Sequence, residues 1–127
     1  PQFKGGGVSH GPQPRKYTLR VPAKVRAAAL RSALSTRTLS SSIIVLDKWD
    51  MTAPKTGAAA SVLKRLGANK VLVVTDGENT NVHLSLRNLP EAKYIRAEGV
   101  NVFDVLKYDQ LILTVEGAKA LEKRLSA

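Results

Sequence analysis

Past residue 40 the apolar positions arrive in short unbroken runs: Ile43 to Leu46, Val71 to Val74, and Leu111 to Leu113. Runs this short and this continuous suit strands covered on both faces rather than on one. The pattern predicts strands over 41–47, 70–75 and 110–115, with a weaker one over 93–97. Amphipathic stretches of helical spacing separate them. Pro54 to Leu66 places Ala59, Val62, Leu63 and Leu66 on one side, and Gly67 supplies a stop. Asn79 to Leu89 is closed by Pro90, and Gly117 to Leu125 forms the last helix. Asn101 is placed to cap a short helix over Val102 to Lys107.

Ahead of the first strand, Val21-Pro22 opens another helical pattern, with Pro22 suited to a first turn. Val25, Ala28, Ala29 and Ala33 read as its apolar stripe, down to about Arg37. Lys24 and Arg31 share one flank of it, and Arg26 and Arg37 another. Strict alternation of helix and strand implies right-handed crossovers and a mainly parallel sheet between helical layers. The expected fold is therefore α/β, a three-layer α/β/α body. There is no internal repeat and no heptad register.

The front of the chain breaks this pattern. Residues 1–16 hold the stretch KGGGVSHGPQPRK, where glycine and proline exclude a helix or a strand interior. The expected organisation is an extended basic arm over 1–16 and a globular α/β domain over 17–127. Charge sharpens this division. The chain carries 20 Lys and Arg against 10 Asp and Glu, net +10. Residues 1–37 hold eight of the cations and no acid, while residues 38–127 hold twelve cations and ten acids, a net of +2. A near-neutral body thus bears a cationic front, the electrostatic signature of a nucleic-acid or anionic-surface partner. Glycine lets such an arm approach a phosphate closely, proline keeps it extended, and Arg15 and Lys16 supply charge. Contacts of that kind fix position without reading sequence.

Other chemistry finds less support. No cysteine is present, which removes disulfide and thiol chemistry. The two histidines, His10 and His83, have no clustered ligands, so neither a metal nor another cofactor is expected. His10 lies among the arm's glycines and is a candidate phosphate or base contact. Lys4-Gly5-Gly6-Gly7 lacks the spacing and the preceding strand of a phosphate-binding loop. Asp47 and Asp76-Gly77-Glu78-Asn79 fall where strands end, the usual place for a ligand in a parallel sheet. Turn and cap chemistry accounts for them more simply: Asp-Gly bends the chain and Asp76 or Asn79 caps the next helix. Trp49, between Lys48 and Asp50, reads as a partly exposed indole at the edge of the body. No apolar stretch is long enough to cross a bilayer as a helix.

Gly5-Gly6-Gly7, Gly11-Pro12, Pro14-Arg15 and Tyr17 resemble the returning limb of the long loop in the bacterial-type large-subunit ribosomal protein L4 family. The likeness continues through Val21-Pro22, Lys24-Val25-Arg26, Ala29 to Leu34 and Ala53 to Thr56. It persists in Arg87-Asn-Leu-Pro90, Gly99 to Asp104 and Tyr108-Asp109, so it covers essentially the whole chain. The chain departs from the pattern at Phe3, where many relatives have tryptophan. Ala23, Ala27 and Ala28 stand where relatives often carry cations. The family's first strands and helix, its outgoing loop limb and most of its basic tip have no counterpart in this sequence.

The resemblance implies a non-enzymatic constituent of the large ribosomal subunit that binds its rRNA, supports assembly and, through its long loop, helps line the nascent-peptide exit tunnel. It implies rRNA contacts at Lys4, Gly5, Gly6, Gly7, His10, Arg15, Lys16, Arg20, Lys24, Arg26 and Arg31. Neighbouring large-subunit proteins are the other expected partners. No membrane, small-molecule substrate, cofactor or second copy of the chain is expected. The implied location is the cytoplasm, bound to ribosomes, with an organellar ribosome as the variant. Two other readings compete: a small Rossmann-like nucleotide-binding enzyme using Asp47 and Asp76, and an RNA-binding regulator acting off the ribosome.

Overall fold

The computed structural model describes residues 1–126. Four strands, β1 (Ile43–Leu46), β2 (Val71–Thr75), β3 (Ala92–Arg96) and β4 (Gln110–Thr114), form one sheet in the order β1-β4-β2-β3. All three pairings are parallel. Five α-helices alternate with them: α1 (Ala23–Leu39), α2 (Thr56–Arg65), α3 (Thr80–Arg87), α4 (Val102–Lys107) and α5 (Val115–Ser126). The three-layer α/β/α expectation is met, and each predicted element is present with its ends within a few residues of those expected.

The sheet's pleat sorts the core. Val71 and Val73 point to one face, where Ile112, Ala59, Leu63, Val82 and Leu86 join them under α2 and α3. Leu72 and Val74 point to the other, meeting Leu111, Leu113, Leu30, Ala33, Val105 and Leu121 under α1, α4 and α5. The layering follows from connection handedness. The chain steps in one direction from β1 to β2 to β3, which puts α2 and α3 on a common face. It then reverses from β3 to β4, which puts α4 on the opposite face. Every residue of β2 is buried, as the continuous apolar run predicts for an inner strand.

Local chemistry sets the ends. Gly67, at φ 65°, takes the left-handed position after α2, and the Ala68 amide donates back to the Leu63 carbonyl at 3.0 Å. Asn79 Oδ1 accepts the Val82 amide at 3.3 Å, and Asn101 Oδ1 accepts the Asp104 amide at 2.8 Å, so both are true N-caps. At the start of α5, a Cβ on Gly117 would stand 2.9 Å from the Val74 carbonyl oxygen and 3.1 Å from Thr75 Cα. Only glycine lets that helix lie so close against β2.

Two expectations fail. Of the expected α1 stripe only Ala33 is buried; Val25, Ala28 and Ala29 are exposed, and Leu30 is buried in their place, with Ala27, Leu34 and Arg37 half-buried. Leu30 and Leu34 carry more apolar area than the alanines, so they set which face turns inward. Trp49 is not partly exposed: it is 6% accessible and packed in the core beneath α2 and α3.

Candidate nucleic-acid interface

Residues 1–22 contain no helix and no strand, and all are exposed except Gly11, which is half-buried. Phe3 is 78% and Leu19 92% accessible, so even the large apolar side chains of this segment cover nothing. Two turns interrupt the extended course. The first is closed by the Gly6 amide donating to the Phe3 carbonyl at 2.8 Å, with Gly5 at φ 81° in the third position. That geometry is a type II turn, which requires a residue tolerant of positive φ at this place. The second places His10 at φ 52°. Further along, the Arg15 guanidinium stacks over the Tyr17 ring at 4.4 Å. Among the described residues, no side-chain hydrogen bond or ion pair joins residues 1–21 to the body.

The arm leads directly into α1. Pro22 precedes the first helical residue, and its carbonyl accepts the Arg26 amide at 3.2 Å. Neither a side-chain cap nor an acidic residue stands in the first turn. Instead Lys24 and Arg26 occupy the positive end of a 17-residue helix dipole. Cations there oppose the dipole, typically at a cost of about 0.3–1 kcal/mol each. Unpaired backbone N–H groups and two cations converge where a helix ordinarily attracts an anion.

Lys4, Arg15, Lys16, Arg20, Lys24 and Arg26 are therefore exposed together, along with Gly5, Gly6, Gly7 and His10. Arg31 differs. Its Nε and Nη2 donate to the Leu125 carbonyl at 3.0 and 2.6 Å, closing the C-terminal end of α5. Two further cations have structural partners that pattern alone did not reveal. Arg37 donates to the carbonyls of Val105, Leu106 and Tyr108 at 3.0, 2.9 and 2.7 Å, gathering the C-terminal end of α4. Arg124 Nη1 donates to the carbonyls of Ala97 and Val100 at 2.9 and 3.0 Å.

At the carboxyl ends of the strands lies a cleft of about 470 Å³ bordered by Asp47, Asp50, Asp76, Glu78 and Glu116. Its loop is cross-braced for shape. The Tyr94 hydroxyl lies 2.7 Å from Thr75 Oγ1, accepts the Asn79 amide at 2.9 Å and donates to the Gly77 carbonyl at 3.0 Å. Asn79 Nδ2 reaches the Trp49 carbonyl at 3.0 Å. Asp76 to Asn79 thus act as a turn and a cap, as the simpler reading held. Among the described residues, no group of three or more His, Asp or Glu side chains is arranged to hold a metal ion. No described helix is long and apolar enough to cross a membrane.

The described residues thus form an α/β body with a parallel sheet, preceded by an exposed cationic segment without helix or strand. Residues 1–124 match the family model described as the ribosomal protein L4/L1 family, and the chain belongs to that family. It is 49% identical over 125 residues to a large ribosomal subunit protein uL4 of Anaeromyxobacter sp. (strain K), covering 98% of this chain and 61% of that protein. It is 45% identical over 127 residues to the uL4 of Moorella thermoacetica, and 44% over 126 residues to that of Desulforapulum autotrophicum. In both cases 99% of this chain is covered and 61% of the relative, so the chain spans about three fifths of the proteins it matches. The family is one of structural, non-enzymatic components, and the nucleotide-binding enzyme reading is set aside.

Proposed function

We propose that this chain is the rRNA-anchoring portion of a large-subunit ribosomal protein, with the arm and the start of α1 threaded against the RNA backbone. The observation that carries this reading is the uncompensated charge at one place. Lys24 and Arg26 crowd the positive end of α1 without an acid or a cap, directly after an exposed arm bearing Lys4, Arg15, Lys16 and Arg20. Folding alone gains nothing from that arrangement; a phosphate backbone relieves it. The arm buries no apolar side chain, so its ordering is coupled to binding and is driven by charge neutralisation and backbone contacts.

The body then serves as a wedge that holds the arm's direction at the subunit surface. Lys4, Gly5, Gly6, Gly7, His10, Arg15, Lys16 and Arg20 are its threaded contacts, and Lys24 and Arg26 are its helix-end contacts. Arg31 joins them through the guanidinium edge not committed to Leu125. The long loop to which the arm belongs contributes to the peptide exit tunnel, and the protein supports subunit assembly with neighbouring ribosomal proteins in a ribosome-bound, cytoplasmic setting.

Co-sedimentation tests this. The natural full-length protein is expected to migrate with large subunits through a moderate-salt wash. Recovery only from the ribosome-free fraction would instead favour a regulator working off the ribosome.

A further inference from the structure

The sheet has two edges, and they are finished differently. β3 carries Lys93 and Arg96, and Lys93 Nζ is held by Asp104 of α4 at 2.8 Å. Charges of that kind keep another chain from pairing with an edge. β1 reads Ile-Ile-Val-Leu, with no charge and no proline, and it pairs with β4 alone. The Leu111 amide donates to the Ser42 carbonyl at 2.9 Å, so residues 42, 44 and 46 turn their backbone groups toward β4. Ile43 and Val45 turn theirs outward, where no strand meets them among the described residues.

The surface beside that edge is apolar. Val45 is 56% accessible. On the α2 side lies a groove of about 550 Å³, bordered by Leu46, Met51, Ala58, Val62 and Leu66. Trp49 and Asp50 border both this groove and the acidic cleft, so the two are continuous. Lys48 and Lys55 stand on the groove's rim, whereas the cleft has five carboxylates and Lys48 as the one cation among its lining residues.

We propose that the open edge of β1 receives an extended segment of another protein. The segment pairs as a further strand, sets an apolar side chain in the groove and carries its basic residues past the end of β1 into the acidic cleft. Three observations select this occupant. The outward N–H and C=O groups of Ile43 and Val45 match the main chain of a strand, and an adjoining pocket for alternate side chains completes that mode of recognition. Met51 and the aliphatic groove wall suit an apolar anchor. The cleft gathers half of the chain's ten acids in a molecule of net charge +10, so it repels a phosphate backbone and attracts a cationic peptide. A second copy of the chain would bring another net charge of +10 to the contact, which disfavours it. The contact lies apart from the arm and does not rest on the RNA reading.

The probe is a short synthetic peptide of alternating valine and threonine with a run of lysines at one end, made with the lysines first or last. Each form is titrated into the isotope-labelled full-length protein and followed by NMR. One form is expected to bind, to shift the amides of Ile43 and Val45, and to bind less well as salt rises. Methylating the amide nitrogens along one edge of that peptide is expected to abolish binding, and along the other edge to leave it intact, because only one edge faces β1. Val45→Pro removes an outward N–H that β4 does not use, at a place where an edge strand tolerates proline. It is expected to weaken peptide binding by about tenfold or more, with the β4 amides and rRNA binding unchanged. Val45→Lys keeps the backbone intact and is expected to weaken binding as well, through its charge at the edge. Equal binding by both edge-methylated peptides, or full affinity in both Val45 variants, would overturn strand addition. A protein that takes up neither peptide form would overturn it too. Self-association that Val45→Pro abolishes would overturn the choice of partner and assign the edge to a second copy.

Discussion

Lys93 Nζ lies 2.7 Å from Asp104 Oδ2 and 2.8 Å from Oδ1, tying β3 to the first turn of α4 across the edge of the sheet. Asp104 is 1% exposed and also accepts from Asn101 Nδ2 at 2.8 Å, while Asn101 Oδ1 accepts the Asp104 amide. One carboxylate thus holds both the lysine and the side-chain amide of the capping asparagine. The lysine remains partly in water, which weakens its share of the interaction. Lys93→Ala is expected to lower unfolding free energy by about 1–2 kcal/mol, and Asp104→Ala by about 2–4 kcal/mol because the hydrogen bond from Asn101 Nδ2 goes with the ion pair. Urea titration measures both, and RNA affinity is expected to stay constant in each.

Two glycines are expected to respond oppositely to the same change. Gly117→Ala brings a methyl against backbone atoms of Val74 and Thr75 and is expected to cost about 1–3 kcal/mol. Gly57, in the first turn of α2, has nothing within 4 Å of where a Cβ would stand. Gly57→Ala is expected to stabilise by about 0.5–1 kcal/mol through reduced unfolded-state entropy. Thermal unfolding of the pair separates close packing from intrinsic helix preference.

Arg26 and Arg37 both lie on α1, yet the structure gives them different work. Arg37→Ala strips hydrogen-bond donors from carbonyls at the end of α4 and is expected to cost about 2–3 kcal/mol of stability. Arg26→Ala is expected to leave stability unchanged or slightly raised, since it removes a cation from the wrong end of a dipole, and to weaken rRNA binding. Denaturation and filter binding on both variants check the division.

Arg15→Ala with Lys16→Ala is expected to weaken binding across RNA sequences and to flatten its salt dependence by about one log unit per lost contact. The melting temperature is expected not to move, because neither side chain touches the body. An unchanged salt slope would remove both residues from the interface.

The alternation of strands and helices was legible because β2 and β4 are inner strands whose apolar runs have no polar interruption. The lack of helix and strand over residues 1–22 follows the glycines and prolines there. The phase of α1 was not legible. Its alanines make a weak stripe in several directions, and the inward face carries Arg37, which a pattern counts as polar. Only the carbonyls at the end of α4, brought close by the tertiary fold, explain why that guanidinium turns inward. Trp49 misled for the same reason: its neighbours Lys48 and Asp50 are polar, but α2 and α3 close over the indole from far along the chain. Charge counting gave no sign that Arg31 is partly committed to Leu125.

The most direct test is amide hydrogen exchange across residues 1–22, with and without protein-free large-subunit rRNA. The free chain is expected to exchange there at unprotected rates while β2 and β4 stay protected, and the arm is expected to gain protection once RNA is bound. Protection of the arm in the free chain, or an arm still unprotected in a complex that binds tightly, would contradict the account.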